Sequence, residues 1–271
     1  MPELPEVETT RRGLAPHVCG REITGVVVRD GRLRWPVPEN LCDLVEGQCI
    51  AALERRGKYL LMRLGEGSLI AHLGMSGSLR IVDGDSPPRK HDHVDILLQT
   101  GACIRFHDPR RFGCLLWTAE EPDRHELLRE LGPEPLQPEF SGAHLYAVSR
   151  GRTAPVKNFI MDSRVVVGVG NIYANEALFR CGIHPLRSAG RISARRYGAL
   201  AESIRQTLAD SIAQGGTTLR DFVDAAGNPG YFRQVLQVYG RTGEACTRCG
   251  CPICGERVGQ RSTYYCPRCQ K

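Results

Sequence analysis

Cysteine spacing at the end of the chain constrains the fold more than any other feature of the sequence. Cys246 and Cys249 form one Cys-x-x-Cys pair, Cys266 and Cys269 form a second, and sixteen residues lie between the pairs. This spacing is typical of two knuckles that hold one tetrahedral zinc ion. A segment of this size cannot bury a core of its own, so bound metal would supply its folding energy. The sequence therefore predicts a C-terminal zinc ribbon.

A third pair, Cys251 and Cys254, leaves the choice of ligands open. It is an equally good knuckle in isolation, and the eleven residues between Cys254 and Cys266 form a loop that a ribbon tolerates. Spacing alone does not decide between the inner and the outer pair. Metal binding is favoured over disulfides because a reducing cytosol keeps thiols reduced. The remaining six cysteines are scattered, and we expect buried or incidental thiols at Cys19, Cys42, Cys49, Cys103, Cys114 and Cys181.

The composition is that of an ordinary globular protein with a phosphate-bearing partner. Of its 271 residues, 41% are hydrophobic and 24% are charged, and no apolar run approaches the roughly 18 residues of a membrane span. The acidic start has no apolar signal segment, so we expect a cytoplasmic protein. The net charge is +6, and residues 241–271 carry six basic side chains against two glutamates. A basic end on a compact scaffold favours a partner that carries phosphate.

The hydrophobic pattern divides the chain into a β-rich part and a helical part. From Ile23 to Trp117, short β-rich segments alternate with glycine-containing turns, and residues 99–101 are typical of a hairpin link. Such spacing predicts an antiparallel sandwich or barrel. After a proline-rich hinge at 132–138, apolar residues recur at helical spacing, which predicts helices over 171–180 and 193–215. We therefore predict domains at 1–131, 139–236 and 237–271.

Pro2 is the residue with the most unusual potential chemistry. Removal of Met1 would leave a free secondary amine at Pro2, and an α-amine titrates near pH ~8, so much of it is unprotonated at neutral pH. Such an amine can attack an aldehyde-level carbon and form an iminium, an electron sink that drives carbon–oxygen bond cleavage. Glu3 can donate or remove protons beside it. Proline in this position more often reflects efficient removal of methionine, so the other motifs decide its meaning.

A series of motifs follows Pro2 along the whole chain. They are PELPEVET at 2–9, RGKYL at 56–60, HLGMSG at 72–77, KHDHVD at 90–95, DPRRFG at 108–113, VGVGNIY at 167–173, QGGTTL at 214–219 and the cysteine ribbon. Together and in this order they resemble the bacterial formamidopyrimidine-DNA glycosylase family. The resemblance implies an α+β multidomain fold with an N-terminal antiparallel β-sandwich with flanking helices, a helical helix–two-turn–helix domain and a C-terminal zinc ribbon.

The same resemblance implies a bifunctional enzyme. It would excise oxidised purines, such as 8-oxoguanine and formamidopyrimidines, from duplex DNA and then nick the strand by β,δ-elimination. Pro2 would attack C1′ of the damaged nucleoside, and Glu3 would donate a proton as the sugar ring opens. In the family pattern Lys58 is the proton donor of the β step and Arg261 that of the δ step. Because a guanidinium gives up its proton only above pH ~12, we expect Arg261 to act more as a phosphate anchor.

Further residues match positions that hold DNA in the family. Met75, Arg110 and Phe112 match the residues that fill the space left by an everted nucleotide. A glycine-rich turn at 168–170 ends at a helix N-terminus, which suits a phosphate. The loop over 215–230 corresponds to the lid on the everted base. The other matched DNA-contacting positions are His91, Arg152, Lys157 and Asn171, each of which alone would pass for a routine surface residue or helix cap.

The resemblance also narrows the ligand set and the partners. Ile253 keeps its usual offset after Cys249, so the alignment favours Cys246, Cys249, Cys266 and Cys269 as ligands of one structural zinc ion. Cys251 and Cys254 depart from the family pattern. The implied partner is damaged double-stranded DNA, with no membrane, and the implied form is a monomer in the bacterial cytoplasm, at the nucleoid when bound to DNA. Two alternatives remain: an endonuclease VIII-type glycosylase for oxidised pyrimidines, and a zinc-ribbon DNA-binding protein without catalysis.

Overall fold

The structure is a computed structural model that describes residues 2–215 and 236–271. The described residues fall into two compact units, one centred on residues 2–130 and the other built from residues 131–213 and 236–271. Within these residues, no helix combines the length and the apolar character that a membrane crossing requires. The boundaries predicted for three separate domains stay a prediction.

The first unit is a two-sheet structure with helices at its side. Its described residues form helices α1 (Leu4–Val18) and α2 (Leu41–Val45) and the strands β1 (Ile23–Val28), β2 (Ala52–Arg56), β3 (Tyr59–Arg63), β4 (Ser68–His72), β5 (Ser78–Asp83), β6 (Asp92–Leu98), β7 (Ala102–His107) and β8 (Cys114–Thr118). The strands pair antiparallel in two four-stranded sheets, with the orders β1-β6-β7-β5 and β2-β3-β4-β8.

One apolar core contains side chains from both sheets. Alternate residues point into it because successive side chains of a strand face opposite sides. Leu60 and Met62 of β3 belong to this core, and so do Val94 and Ile96 of β6. Helix α1 adds an apolar face through Val7 and its neighbours to the same core. The predicted antiparallel sandwich with flanking helices is therefore confirmed, and residues 99–101 link β6 to β7 as predicted.

The second unit is helical, with a small hairpin at its end. Its described residues form α3 (Gly142–Ser149), α4 (Val156–Ile160), α5 (Asn171–Arg180), α6 (Ala194–Ala213), β9 (Cys254–Val258) and β10 (Arg261–Tyr265). Both helices predicted for this part are confirmed. Helix α6 follows Ser193, whose Oγ accepts the Arg196 N–H at 3.4 Å. Its buried face meets α5, where the hydroxyls of Tyr173 and Ser211 lie 2.7 Å apart.

Strands β9 and β10 form the antiparallel hairpin of the ribbon. Arg261 pairs with Val258, so only Gly259 and Gln260 make the turn. Both have positive φ, +53° and +65°, which is the backbone of a type I′ turn. This turn matches the right-handed twist of the two strands, and it places Arg261 at the tip of the hairpin.

Candidate nucleic-acid interface and zinc site

The N-terminus of α1 fixes the two residues for which catalysis is predicted. Glu3 caps the helix, and its backbone N–H donates to the Glu6 carboxylate at 2.8 Å in a capping box. Pro5 occupies the first turn, where a missing N–H costs no helical hydrogen bond. Pro2 is buried, and Glu3 and Glu6 are 2% and 1% exposed. The capping box therefore holds Glu3, and with it Pro2, in one backbone position.

A charge cluster joins α1 to the turn that carries Lys58. Glu8 of α1 accepts hydrogen bonds from Arg11 and Arg12, and also from Arg55 of β2 at 3.2 Å. Burial alone would raise the pKa of Glu8, but hydrogen bonds from two arginines outweigh it and lower the pKa to about 2. Arg55 also donates to the Gly57 carbonyl at 3.0 Å. The cluster thus braces the backbone immediately before Lys58.

Lys58 lies in a two-residue hairpin turn between β2 and β3. Arg56 pairs with Tyr59, so Gly57 and Lys58 alone make the turn. Gly57 has φ +58°, which a side chain at this first turn position would disfavour. The Lys58 side chain is half-buried. A short turn of this kind holds the amine on a rigid part of the sheet.

His72 adds a neutral donor beside Lys58. Burial first, and then the charges of Lys58 and Arg34, together lower the pKa of His72 to about 4. Its Nδ1 accepts the Gly74 N–H at 2.9 Å, so the neutral ring carries its hydrogen on Nε2. The motif at 72–77 by itself indicates no role for His72. The pairing of His72 with Tyr59 across β3 and β4, with ring centroids 4.8 Å apart, is what places it next to the Lys58 turn.

Two loops bring the predicted wedge residues to the surface. Met75 and Phe112 are 38% and 42% exposed, which is unusual for large apolar side chains. The Arg110 guanidinium lies over the Phe112 ring, 5.0 Å from its centroid. Gly74 allows the loops to meet, since a Cβ there would lie 2.4 Å from the backbone of Phe112. The structure thus groups Met75, Arg110 and Phe112 on neighbouring loops.

Asp108 fastens these loops from below. The residue is fully buried, and its carboxylate accepts the Gly113 N–H at 2.8 Å and the Ser76 hydroxyl at 3.2 Å. Its own backbone N–H donates to the His91 carbonyl at 3.0 Å, and its carbonyl lies 2.8 Å from His93 Nε2. One buried residue therefore connects the loop of Met75, the loop of Phe112 and the segment of His91.

His91 lies half-buried on a basic surface next to the wedge. Its backbone is left-handed, with φ +75°, a conformation that non-glycine residues seldom adopt. Desolvation lowers the pKa of His91, and so do the charges of Lys90 and Arg111 and the neighbouring imidazoles of His107 and His93. Its ring makes edge contacts with the rings of His93 and His107 at 6.1 and 6.2 Å.

In the second unit, Asn171 begins helix α5 after a buried, glycine-containing turn. Gly168 has φ +80°, and Gly170 is the N-cap residue. Asn171 is half-buried, and its Nδ2 donates to the Ser262 carbonyl at 3.1 Å. One turn later, the buried Asn175 accepts the Tyr264 N–H at 2.8 Å and donates to the Asn171 carbonyl at 2.6 Å. Helix α5 therefore holds strand β10 through two amide side chains.

Lys157, which matches a DNA-contacting position of the family, is fully buried and not on the surface. Its Nζ donates to the Ser262 carbonyl at 2.8 Å and to Thr263 Oγ1 at 2.7 Å. Both acceptors come from strand β10, about 105 residues later in the chain, so this burial has no local signal in the sequence, and the predicted DNA contact of Lys157 stays a prediction. A buried ammonium group needs such partners to offset its desolvation.

The remaining predicted DNA contacts are exposed. Arg261 lies at the tip of the β9–β10 hairpin, and Arg152 lies on the loop after α3. The backbone of Arg152 is fixed, since its carbonyl accepts from the Gly190 N–H and the Ser188 hydroxyl. Both guanidinium groups can therefore reach a phosphate from a rigid support. The predicted lid at 215–230 lies outside the described residues from 216 onward.

Four cysteine sulfurs form a metal site of tetrahedral size. The Sγ atoms of Cys246, Cys249, Cys266 and Cys269 all lie within 4.8 Å of one another. Two of the separations are 3.5 Å, from Cys249 to Cys266, and 3.9 Å, from Cys246 to Cys269. A Zn–S distance of about 2.3 Å gives tetrahedron edges of about 3.8 Å. These four thiolates therefore fit one structural zinc ion.

Cys251 and Cys254 are outside this four-sulfur group. Cys251 packs against the apolar cluster of the ribbon, which includes Val238 and Ile253. Cys254 is the first residue of β9 and pairs with Tyr265. The choice that spacing left open is thus made by the fold, in favour of the outer pair Cys246 and Cys249.

The fold and the site define a class: an α+β protein that combines a β-sandwich, a helical unit and a zinc ribbon. Comparison with protein families agrees for each part. Residues 1–115 match the formamidopyrimidine-DNA glycosylase N-terminal domain, residues 131–223 match the formamidopyrimidine-DNA glycosylase H2TH domain, and residues 243–271 match the zinc finger found in FPG and IleRS. The chain belongs to the formamidopyrimidine-DNA glycosylase family.

Similar proteins cover the chain from end to end. It is 65% identical to a formamidopyrimidine-DNA glycosylase of Methylococcus capsulatus and 61% identical to one of Syntrophotalea carbinolica, with 100% of each chain covered. The solved MutM (Fpg) protein of Thermus thermophilus is 40% identical, with a TM-score of 0.88 over 99% of this chain and 98% of that one. A Lactococcus lactis Fpg in complex with DNA that contains an abasic site is 33% identical, with a TM-score of 0.91 and 100% of both chains covered.

Proposed function

We propose that this protein is a bifunctional DNA glycosylase and AP lyase that excises oxidised purines from damaged duplex DNA and then nicks the strand. The observation that carries the proposal is the fixed N-terminus of α1, where Pro2 directly precedes the capping residue Glu3. Membership in the family and the similarity to an Fpg bound to abasic-site DNA support the same activity. It would act in the bacterial cytoplasm, at the nucleoid when bound to DNA.

The proposed chemistry begins at the nitrogen of Pro2 once Met1 has been removed. The amine forms a bond to C1′ while the glycosidic bond breaks, and the base leaves with the electron pair. Glu3 donates a proton to the ring oxygen as the sugar opens, which gives an iminium. Solvent then takes a proton from C2′, the C–H electron pair forms the C2′–C3′ double bond, and the 3′ phosphate leaves with the C3′–O electron pair and a proton from Lys58. A further elimination expels the 5′ phosphate, a step in which Arg261 anchors the phosphate.

The surface residues would hold the DNA in a flipped state. A base inside a duplex can be reached only after it leaves the stack, and the space left behind must be filled. Met75, Phe112 and Arg110 are suited to this, because the two apolar side chains can insert between stacked bases and the cation can fill the remaining space. His91, Arg152 and Asn171 would contact the backbone, since such groups fix the register of a protein on DNA.

Lys157 would act on DNA through the hairpin. Its amine donates hydrogen bonds to Ser262 and Thr263 of β10, the two residues that follow Arg261. Zinc supplies the folding energy of the ribbon and takes no part in the proposed reaction. The four cysteine ligands would thus fix one side of Arg261, and Lys157 with Asn171 would fix the other.

Cleavage of defined duplexes tests the proposal. One duplex carries 8-oxoguanine opposite cytosine, and the other carries thymine glycol. We expect faster excision of 8-oxoguanine, with a strand nick, and loss of both products in Pro2→Gly while duplex binding persists. Faster excision of thymine glycol would assign the protein to the endonuclease VIII type. Tight binding without product from either duplex would show a DNA-binding protein without catalysis.

A further inference from the structure

Strand β7 ends in a histidine for which the proposed reaction has no use. The Nδ1 of His107 lies 2.8 Å from Oδ1 of Asp92, its neighbour across β6 and β7. The His107 side chain is 25% exposed, whereas that of Asp92 is fully buried. Among the residues that the structure describes, none forms a hydrogen bond with Nε2 of His107. Asp92 therefore holds one ring nitrogen inside the protein, and the partly exposed side chain leaves Nε2 for a ligand.

Asp92 decides which nitrogen of His107 carries hydrogen. Its carboxylate also accepts from Arg80 Nη2 at 2.7 Å and from the Arg89 backbone N–H at 2.8 Å. A carboxylate ion-paired with a guanidinium only accepts hydrogen bonds, so Nδ1 of His107 must be the donor. Neutral His107 then presents a lone pair at Nε2, and only the imidazolium presents an N–H there. His72 has the opposite arrangement, because its Nδ1 accepts a hydrogen bond.

The groups around His107 carry net positive charge on the surface and paired opposite charges within the sheet. The ring of His91 lies 6.2 Å from that of His107, and the charges of Lys90 and Arg111 act on His91 from the adjacent loops. Below the ring, Arg80 pairs with Asp92 at 2.7 Å, and Arg105 pairs with Asp95 at 2.8 Å, with Arg105 Nη1 also 3.8 Å from Asp92, so two positive groups face two carboxylates. A phosphate on this surface would meet Lys90 and Arg111, of which Arg111 also pairs with Asp30, and His107 adds a positive charge only when protonated.

We propose that His107 is a further phosphate contact of the DNA interface and that it binds phosphate as the imidazolium while Asp92 holds Nδ1. The proposal rests on the proposed function, since it takes the surface around His91 to face DNA. A phosphate oxygen accepts the hydrogen bond from Nε2–H, and solvent supplies the proton. Duplex binding therefore takes up a proton at this position, and the affinity for DNA rises as the pH falls from 8 to 6.

Duplex binding at two pH values tests this contact. Fluorescence anisotropy with an undamaged duplex is measured at pH 6 and pH 8 at one ionic strength, because salt alone changes the affinity. His107→Asn retains an amide donor toward Asp92 and lacks the outer nitrogen. The matched control is His17→Asn, at an exposed position in the last turn of α1. We expect the ratio of affinities at pH 6 and pH 8 to be roughly fivefold smaller in His107→Asn, as for one imidazole that binds its proton about tenfold more firmly in the complex.

Nuclear magnetic resonance of the wild-type histidine nitrogens gives a second readout that does not depend on a variant. The titration midpoint of His107 should rise by about one pH unit when duplex DNA is added, with that of His17 unchanged. Equal affinity ratios in the wild type and both variants, or a midpoint that DNA does not move, would overturn the phosphate contact alone. Absence of duplex binding by the wild type at either pH would overturn both this contact and the proposed function.

Discussion

Gly74 offers the sharpest test of how the two wedge loops are built. Its φ is +62°, and a Cβ added there would lie 2.4 Å from the carbonyl carbon of Phe112 and 2.5 Å from the nitrogen of Gly113. Carbon atoms in contact normally lie about 3.5–4.0 Å apart, so one loop would have to move by about 1 Å. Both obstacles are backbone atoms, which cannot swing aside as a side chain can. Gly74→Ala should therefore push the loop of Met75 away from that of Phe112.

Gly101→Ala is the matched control for this change. Gly101 has φ +81°, and no atom lies within 4 Å of its Cβ position. Both substitutions place alanine in left-handed backbone, at a cost of about 1–2 kcal/mol. Only Gly74→Ala adds overpacking, which costs about 1–3 kcal/mol more. The free energy of unfolding should thus fall by about 2–5 kcal/mol in Gly74→Ala and by about 1–2 kcal/mol in Gly101→Ala.

Thermal unfolding and two cleavage assays measure the consequences. For a protein of this size, each kcal/mol corresponds to a few degrees of melting temperature, so Gly74→Ala should melt roughly 2–12 °C below Gly101→Ala. Gly74→Ala should also lose more activity on 8-oxoguanine in a duplex than on a preformed abasic site, since only the first requires the wedge to evert a base. Equal melting temperatures for the two variants, or equal losses on the two substrates, would refute this account of the loops.

Three further predictions concern the buried lysine, the neutral histidine and the ribbon thiols. Lys157→Met leaves two acceptors of β10 without their donor, and urea unfolding should show a loss of about 1–3 kcal/mol; a salt slope of DNA binding lower by about one would instead indicate a direct phosphate contact. The pKa of His72 is lowered from 6.5 to about 4, so His72 binds a proton more firmly in the unfolded chain than in the folded one. The free energy of unfolding should therefore fall by up to about 3 kcal/mol as the pH drops from 6.5 to 4. A decline of equal size in His72→Gln would contradict this assignment. Metal analysis should find one zinc per chain in Cys251→Ser and Cys254→Ser but a large loss of zinc in Cys249→Ser. Of these three cysteines, Cys249 alone belongs to the four-sulfur group. Loss of zinc in Cys254→Ser would reverse the ligand choice.

Much of the fold was predictable because its signals are local. The alternation of apolar residues such as Val94 and Ile96 indicates a strand with one buried face, and the glycine-containing link at 99–101 indicates a hairpin. The helix over Asn171–Arg180 and the presence of a zinc ribbon follow from spacing in the same way, but spacing left open which of two cysteine pairs joins Cys266 and Cys269 as ligands. Each of these inferences needs only residues that are close together in the chain.

The supports of the site were not predictable, because they depend on partners far apart in sequence. Lys157 looks like any surface lysine until its acceptors at Ser262 and Thr263 are known. Asp108 sits in a motif that indicates DNA contact, yet its carboxylate binds Ser76 and Gly113 within the protein. Such side chains hold the groups that would meet DNA, and only the packed structure reveals them.

The central claim is that the nitrogen of Pro2 bonds to deoxyribose during turnover. Borohydride reduction during reaction with an abasic duplex, followed by mass spectrometry of the N-terminal peptide, tests it most directly. We expect a DNA adduct on Pro2 in a chain that has lost Met1. An adduct on Lys58 or another lysine, or full activity in a chain that retains Met1, would contradict it.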